Sequence, residues 1–328
     1  KEMAASILGA SRRVLKTEGN KNNIIGLPQT LLGLDNTVEA AVVELGISIP
    51  GEMKRLVEIS APDIAVITNI GRSHLKTLGS VPCVAKEKGE LFRLMKPVGV
   101  RVVNMDDIYA VKAAEGAKNV ITFSLERAAD IRVLDYGLRE GWRGMRAVYD
   151  VKGKKIDVEF RAPGVSNVIN GAAAIAACVP FNVTEEDIIA GLNSYSPARG
   201  RMEVLRINGL VVLDDTYNAN PDSVEAALHT LKDAPGRKVA VLGDMLELGE
   251  ASAREHREIG RLAAELSIDV IVAVGDNALY VGQGAVFIQK DASRVFCCKD
   301  KTCALDALKD ILREGDTVLV KGSRGGAL

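Results

Sequence analysis

A chain of 328 residues is longer than one hydrophobic core ordinarily supports, so the length predicts two domains. Apolar residues make up 47% of the chain and charged residues 26%, a globular composition that excludes a disordered protein. The 42 basic and 43 acidic residues are mixed along the chain, which argues against a surface for nucleic acid or anionic lipid. No long apolar run is present, and the five cysteines are an odd number typical of reduced thiols, so we expect a cytoplasmic protein without a membrane span.

The first residues predict a helix that has no start signal. In "KEMAASILGASRRVLKTEGNKNN" the apolar residues Met3, Ile7, Leu8, Val14 and Leu15 recur at the spacing of one buried helical face. No Ser, Thr, Asp or Asn precedes them to cap the first backbone N–H groups. We interpret this beginning as a sign that a segment lies upstream of Lys1.

The next part of the chain predicts a parallel sheet with an antiparallel addition. The apolar runs "AAVVELG", "DIAVITNIG", "VGVRVVN" and "NVITFS" alternate with helical patterns, which is typical of βαβ units. From Asp130 to Phe160 apolar and polar residues alternate between glycine turns, a pattern of antiparallel hairpins. The small residues of "VINGAAAIAAC" predict a helix that packs closely on a sheet, and Thr184 is a candidate N-cap of the helix after it.

A second open sheet is predicted after "SPARG". The runs "LVVLDD", "KVAVLGD", "IDVIVAVG", "AVFI" and "DTVLVKGS" are candidate strands with helical patterns between them. In "DDTYNANPDS" we expect Pro221 to enforce a turn and Asp222 or Ser223 to cap the next helix. The predicted fold class is α/β, with a mostly parallel sheet carrying an antiparallel annex in residues 1–198 and a Rossmann-like domain in residues 199–328.

Polar residues follow several predicted strands at the end where ligands bind in open parallel sheets. They are Glu44, Asn69, His74, Asp214, Asp215, Asp244 and Lys321. Each alone is consistent with a turn residue or a surface charge, but their recurrence in both domains favours a site between the domains. Glu44 and His74 together suggest Mg²⁺ or Mn²⁺, with phosphates and waters as the remaining ligands, although a lone histidine more often makes a structural hydrogen bond.

Two further stretches leave alternatives open. Lys86 and Lys88 in "VAKEKGELF" are consistent with a solvated helical face on which Lys86 pairs with Glu90. Polar residues crowd the corner "DDTYNANP", which suits a ribose or an amine but is also consistent with a capped loop.

Seven stretches in chain order resemble the Mur ligases of peptidoglycan synthesis. They are "TEGNKNNIIGLP", "VELGISIPGEM", "TNIGRSHLKTLGS", "AKEKGELF", "DDTYNANPDS", "VLGDMLELGE" followed by His256, and "VKGSRG", and they span nearly the whole chain. The resemblance implies a three-domain enzyme with an N-terminal domain for a UDP-sugar, a central ATPase domain that opens with a P-loop, and a Rossmann-like C-terminal domain. The chain would then correspond to the central and C-terminal domains, with the P-loop before Lys1.

The resemblance also implies an activity. The implied activity is that of an ATP-dependent ligase that adds D-alanyl-D-alanine to UDP-N-acetylmuramoyl-tripeptide through an acyl phosphate, with ATP, Mg²⁺ and a carbamylated lysine. We expect a monomer, although the sequence itself does not determine the oligomeric state. Phosphorylation is needed because a carboxylate would otherwise have to expel oxide. A folylpolyglutamate synthase-like ligase and a catalytically silent nucleotide-binding fragment are the alternatives, and "YNANP" and "GDMLELGE" disfavour the first of them.

Site residues follow from the same resemblance. Glu44 and His74 match magnesium ligands, and Lys88 matches the lysine whose carbamate holds a second metal ion. The residues matched to the nucleotide are Asn69, Asn167, Arg201 and Asp215. Those matched to the substrates, or placed by their motifs in the same cleft, are Asn20, Asn23, Tyr217, Asn218, Asn220, Glu247, Lys321 and Ser323. Ser166 replaces a histidine of the pattern PGxHNxxN, which puts one nucleotide contact in doubt.

Overall fold

The chain folds into two compact units. The computed structural model describes residues 1–289 and 291–326. The first unit contains residues 1–161 and 166–196, and the second contains residues 162–165 and the chain from Pro197 on. Among the described residues, no helix combines the length and the apolar character needed to cross a bilayer.

The first unit alternates helices with strands. Its helices are α1 (Glu2–Gly9), α2 (Gly26–Leu31), α3 (Glu52–Ser60), α4 (Leu75–Leu78), α5 (Val81–Leu94), α6 (Ile108–Ala113), α7 (Val165–Cys178) and α8 (Glu185–Ser194). Its strands are β1 (Val14–Lys16), β2 (Ala40–Val42), β3 (Ile64–Ile67), β4 (Val100–Asn104), β5 (Val120–Ser124), β6 (Ile131–Leu138), β7 (Met145–Val151) and β8 (Lys154–Phe160).

The main sheet of this unit is mostly parallel and ends in antiparallel strands. Its strand order is β3-β4-β5-β6-β7-β8, and the pairs are parallel from β3 to β6 and antiparallel from β6 to β8. Strands β1 and β2 form a separate parallel pair. The predicted parallel sheet with an antiparallel annex is confirmed.

Helix α7 packs closely on the annex, as its small residues predict. A Cβ added to Gly171 would lie 2.4 Å from the hydroxyl of Tyr149 and 2.8 Å from the ring of Phe160. The fully buried Tyr149 donates a hydrogen bond of 2.7 Å to the carbonyl of Val168, which satisfies its hydroxyl inside the core. The annex therefore shares one core with the parallel strands through α7.

The second unit is an open sheet flanked by helices. Its elements are β9 (Glu203–Ile207), β10 (Leu210–Asp215), α9 (Pro221–Lys232), β11 (Lys238–Gly243), α10 (Ser252–Glu265), β12 (Val270–Val274), α11 (Ala278–Gln289), β13 (Val295–Cys298), α12 (Lys301–Ile311) and β14 (Thr317–Lys321). The strand order is β13-β12-β11-β14-β10-β9, and every pair is parallel except β9 with β10. The ends of β10, β14 and β11 are thus neighbours at one edge.

Three local predictions were wrong. The first helix ends at Gly9, and Val14 and Leu15 lie in β1, because a turn separates two apolar stretches that happen to continue one helical spacing. The run "AVFI" lies inside α11, since short apolar runs do not distinguish a buried helix from a strand. Helix α9 is capped by Asn220 and begins at Pro221, whose missing N–H costs nothing at that position.

Two glycines of the annex should differ in how strictly they are required. Gly144 (φ 116°) and Gly153 (φ 91°) both have the left-handed backbone that favours glycine, but a Cβ on Gly144 would lie 1.7 Å from the carbonyl oxygen of Phe160, whereas a Cβ on Gly153 would meet nothing within 4 Å. We expect Gly153→Ala to cost about 1–2 kcal/mol of backbone strain and Gly144→Ala at least about 3 kcal/mol, because overpacking adds to the strain.

The measurement is denaturant unfolding followed by the fluorescence of Trp142, the one tryptophan of the chain, which is buried beside Gly144. Equal losses for the two variants would mean that the Phe160 strand moves aside without cost.

Candidate functional site

The loop after β3 is held by one side chain from the end of β4 and one from the N-cap of α6. Asn104 donates to the carbonyl of Thr68 at 2.8 Å, and the backbone N–H of Ile70 donates to Asp107 at 2.5 Å. These bonds fix the backbone on both sides of Asn69, whose side chain is exposed. The loop that carries a predicted nucleotide-binding residue is therefore rigidly attached to the sheet.

Lys88 reaches this loop from α5. Its Nζ donates to the carbonyl of Asn69 at 3.2 Å, and the residue is half-buried, whereas Lys86 is exposed. The main partner of Glu90 is Arg93 rather than Lys86. Glu90 accepts a hydrogen bond of 2.8 Å from Arg93, and this bond lowers the pKa of Glu90. The structure thus separates the two lysines and gives Lys88 the contact with a predicted site residue.

Glu87 sets the orientation of α5. Its Oε1 accepts from the N–H of Gly51 at 2.9 Å and from the N–H of Met53 at 3.0 Å, at the start of α3. Gly51 has no side chain with which to cap that helix, so a carboxylate from α5 satisfies the donors instead. Sequence reasoning missed this role because the partners lie more than thirty residues apart.

Glu44 follows β2 in a polar setting. Its Oε1 accepts from the side chain of Asn22 at 2.7 Å, and its Oε2 lies 3.2 Å from Nζ of Lys1. The backbone N–H of Glu44 donates to Thr17 at 3.0 Å. A Cβ on Gly46 would lie 2.7 Å from the amide of Asn22, so glycine is needed for this close approach. Asn22 is a functional candidate that sequence reasoning missed, although it stands in the quoted "TEGNKNN".

His74 lies just before α4, in the left-handed conformation (φ 53°), and its Nδ1 is buried. The hydroxyl of Thr77 in α4 donates to the carbonyl of Ser48, which ties this segment to the loop that follows Glu44. The described part of the chain contains no group of three His, Cys, Asp or Glu residues suited to a metal ion. A carboxylate and an imidazole fit an ion that takes its remaining ligands from phosphates and water, as Mg²⁺ does in nucleotide sites.

Three other predicted residues of the first unit lie in exposed or half-buried turns. Asn23 accepts from the N–H groups of Ile25 and Gly26 at 3.1 and 2.8 Å, so its side-chain oxygen holds the turn that leads into α2. Asn20 is exposed, and Asn167 is half-buried in the first turn of α7. Their contacts with ligands stay predictions.

Lys321 is the last residue of β14 and is buried beside the end of the neighbouring strand β10 in the second unit. The residue is 2% exposed, and its Nζ donates to Asp215 at 2.5 Å and to the carbonyl of Asn218 at 3.0 Å. The other carboxylate oxygen of Asp215 accepts from the N–H of Met202 at 3.0 Å. One ammonium group therefore holds the end of β14, the end of β10 and the corner after β10 together.

Tyr217 and Arg201 are also neighbours. The guanidinium carbon of Arg201 lies 3.9 Å from the centre of the Tyr217 ring, which is a cation–π contact, and that of Arg324 lies 6.0 Å away. The N–H of Tyr217 donates to the carbonyl of Gly200 at 2.9 Å, which fixes the loop before β9 against the corner after β10. Arg324 is a cation of this corner that the sequence analysis did not single out.

The corner "DDTYNANP" is in part a helix cap. Asn220 accepts from the N–H of Ser223 at 2.8 Å, and its own N–H donates to the hydroxyl of Ser223 at 3.0 Å. The Asn220 side chain is engaged in this reciprocal cap, whereas the side chain of Asn218 is exposed. Of the two asparagines, Asn218 is the better candidate for a ligand contact.

Ser323 joins the corner after β10 to the loop after β11. Its hydroxyl donates to the carbonyl of Ala219 at 3.0 Å and accepts from the N–H of Leu246 at 2.9 Å. Glu247 comes next in that loop and is exposed, with a left-handed backbone (φ 62°) that is rare for glutamate. A residue held in such a conformation is a functional candidate because the surrounding bonds must enforce it.

A cavity of about 490 Å³ lies on the face of β10 opposite to Asp215. Its lining combines apolar sheet residues with charged and polar groups, and consists of Arg199, Gly200, Leu205, Val212, Asp214, Thr216, Tyr217 and Val320. Asp214 accepts from the hydroxyl of Thr216 at 2.6 Å, so its carboxylate is anchored at the cavity wall. The cavity adjoins the contact of Arg201 with Tyr217.

Comparison with known proteins relates both halves of the chain to one family. Residues 1–178 match the family model described as Mur ligase middle domain, and residues 200–324 match Mur ligase, glutamate ligase domain. The UDP-N-acetylmuramoyl-tripeptide--D-alanyl-D-alanine ligase of Bacillus subtilis (strain 168) is 36% identical over 331 residues, which cover 99% of this chain and 70% of the relative.

Two solved structures are similar throughout the chain. A crystal structure of MurF from Acinetobacter baumannii has a TM-score of 0.91 at 33% identity and covers 100% of this chain and 71% of its own. The MurF ligase of Thermotoga maritima in complex with ADP has a TM-score of 0.86 at 28% identity and covers 100% of this chain and 74% of its own.

The contact between Lys321 and Asp215 should be strongly coupled in stability. We expect Lys321→Met to lower the free energy of unfolding by about 3–5 kcal/mol, because it leaves the Asp215 carboxylate without the charge it faces. The double variant with Asp215→Asn should lose less than the sum of the two single losses, by about 1–3 kcal/mol. Chemical denaturation of the four proteins completes the cycle, and strictly additive losses would contradict the pairing.

Proposed function

The chain belongs to the Mur ligase family, and from that premise we propose that it is an ATP-dependent ligase that joins D-alanyl-D-alanine to UDP-N-acetylmuramoyl-tripeptide through an acyl phosphate. The observation that carries the proposal is the 36% identity, over nearly the whole chain, to a ligase named for that reaction. The folylpolyglutamate synthase-like alternative has no comparable support, because both family models that match this chain are those of Mur ligases. The proposed monomeric state and cytoplasmic location stay predictions.

Glu44 and His74 are the proposed protein ligands of Mg²⁺, which when bound would neutralise charge on the phosphates of ATP. Asn22 supports this role because its hydrogen bond of 2.7 Å fixes one carboxylate oxygen of Glu44. The other oxygen faces the ammonium group of Lys1, so the carboxylate already lies where positive charge is stabilised.

Lys88 is the proposed carbamate. Its neutral amine would add carbon dioxide and release one proton, which converts a cationic side chain into an anionic one that suits a second metal ion. The carbamate nitrogen keeps one hydrogen, so the contact with the carbonyl of Asn69 can persist after the change. Glu87 supports this assignment by fixing α5 on α3 in the orientation that directs Lys88 to Asn69.

The second unit is proposed to bind the nucleotide and the amine substrate. Asp215 and Arg201 would contact ribose and phosphates, and Asn167 and Asn69 of the first unit are also proposed to contact the nucleotide. The substrate-binding set is Asn20, Asn23, Tyr217, Asn218, Asn220, Glu247, Lys321 and Ser323. Within it, Lys321, Ser323 and Asn220 make internal hydrogen bonds, so their proposed contribution is to hold the shape of the loops.

The reaction itself is testable with the full-length protein. We expect phosphate release from Mg-ATP to require both a UDP-N-acetylmuramoyl-tripeptide and D-alanyl-D-alanine, and the product to be the UDP-linked pentapeptide by mass spectrometry. L-Alanyl-L-alanine is the matched control and should give no product. Phosphate release that does not depend on either substrate, or product formed only from glutamate and a folate, would overturn the proposal.

Lys88→Ala should reduce kcat by at least about tenfold, because it removes the group that becomes the carbamate. The matched control is Lys86→Ala, an exposed lysine two residues away that should leave the rate unchanged. Carbon-13 NMR of the protein in labelled bicarbonate provides a second readout, since the carbamate signal should be present in the Lys86 variant and absent in the Lys88 variant. Full activity of Lys88→Ala would refute the role.

A further inference from the structure

His256 is the most buried ionisable side chain near the strand ends that the proposed function does not use. It is 1% exposed, in the second turn of α10. Its Nε2 accepts a hydrogen bond of 3.0 Å from the backbone N–H of Met245, and its Nδ1 lies 2.8 Å from the carbonyl oxygen of Ser252. The ring thus connects α10 to the loop after β11.

These two partners determine the tautomer. A carbonyl oxygen only accepts, so Nδ1 must carry the hydrogen that it donates to Ser252. A backbone N–H only donates, so Nε2 must be the bare nitrogen that accepts from Met245. A protonated ring would place a second N–H against that of Met245, and the hydrogen bond would be lost.

The loop held in this way consists of residues 245–248. Met245 and Leu248 are its buried ends, each 3% exposed, and they anchor it in the core. Between them Leu246 is 45% exposed, and Glu247 keeps its left-handed backbone. The N–H of Met245 is held by His256 and that of Leu246 by Ser323, so two successive backbone donors are fixed by buried side chains. Such fixing is what a strained residue requires in order to persist.

Neighbouring groups anchor the base of the same loop. The carboxylate of Asp244 accepts from the N–H groups of Asp276 and Asn277 at 3.0 and 2.9 Å, just before α11. A Cβ on Gly275 would lie 2.5 Å from that carboxylate, so glycine makes room for it. The carboxylate of Asp244 is thus used in these hydrogen bonds. The part of the loop whose position depends on His256 therefore begins at Met245.

We propose that His256, in its neutral form, is a positioning residue that shapes the loop of residues 245–248 for the amine substrate through the hydrogen bond from Met245. This inference rests on the proposed function, which assigns Glu247 to the site of D-alanyl-D-alanine. His256 itself touches no substrate, because it is enclosed by α10 and the loop.

The charge state of the ring agrees with this role. Burial lowers the pKa of His256 below its usual value, and the ionisable groups that face it only partly offset this effect. They are Asp244, whose carboxylate oxygen lies 3.9 Å from Nε2, and Glu255, which pairs with Arg254. The stabilisation from the neutral ring is therefore complete above about pH 6.5 and is lost as the pH falls from there through the pKa of the folded state.

Two substitutions of His256 test its two ring nitrogens separately. The amide of His256→Gln reaches the position of Nε2 and offers an oxygen to Met245, whereas that of His256→Asn reaches only Nδ1 and retains the donor to Ser252. We expect the Asn variant to raise the KM for D-alanyl-D-alanine about five- to tenfold, the factor that corresponds to one lost hydrogen bond, with the KM for ATP unchanged. The Gln variant should stay near the wild type and should lose the acidic limb of the KM profile.

Hydrogen exchange at the Met245 amide provides a readout that does not need activity. The amide should be protected in the wild type and in the Gln variant and should exchange faster in the Asn variant. Acidification should release it in the wild type and not in the Gln variant. Equal KM values and equal protection in the two variants would overturn the inference. A wild-type protein that makes no product from D-alanyl-D-alanine would instead refute the proposed function. The hydrogen exchange at Met245 would still report the contact with His256, because it does not depend on activity.

Discussion

The buried ammonium group of Lys321 is the interaction on which the strand ends of the second unit depend. A charge at 2% exposure is tolerated only when it is paired and hydrogen-bonded, and here the partners are Asp215 and the carbonyl of Asn218. Both partners belong to the segment that leaves β10, so the requirement to satisfy one cation determines how the chain leaves that strand. The positions of Tyr217 and of the α9 cap follow from this course of the backbone, since they come next along it.

In the first unit, carboxylate side chains hold backbone groups near the candidate site residues. Asp107 illustrates it, because one oxygen caps α6 at Tyr109 and Ala110 while the other holds Ile70 in the loop after β3. Glu87 does the same for α3 from a neighbouring helix. Each of these side chains satisfies backbone donors that a helix or loop would otherwise leave unpaired. Each also lies in a hydrogen bond next to a candidate site residue, since Asn69 precedes Ile70 and Lys88 follows Glu87. Structure and site are therefore built from the same hydrogen bonds.

The sequence predicted the elements with local signals and missed the contacts made at long range. The antiparallel annex, the small-residue helix α7 and the cap at Thr184 follow from periodicity, residue size and spacing, and the structure confirms them. The helix predicted to include Val14 ends before it, because one apolar spacing continues across a turn. The sequence analysis also missed β9 and β13, which are the two edge strands of their sheet. Asn22, Glu87 and His256 could not be assigned from the sequence because their partners lie eleven to thirty-six residues away.

The two lysines at the predicted site illustrate why residue type alone does not determine chemistry. Nζ of Lys321 donates to the Asp215 carboxylate at 2.5 Å and to the carbonyl of Asn218 at 3.0 Å, and the side chain is buried. Lys88 is half-buried on a helix and donates to the carbonyl of Asn69. The first lysine is enclosed by the segments that it holds together, whereas the second stays partly accessible beside a predicted site residue, and the sequence shows both only as a lysine followed by a glycine. Burial and hydrogen-bond partners, which only the folded chain establishes, distinguish these two positions.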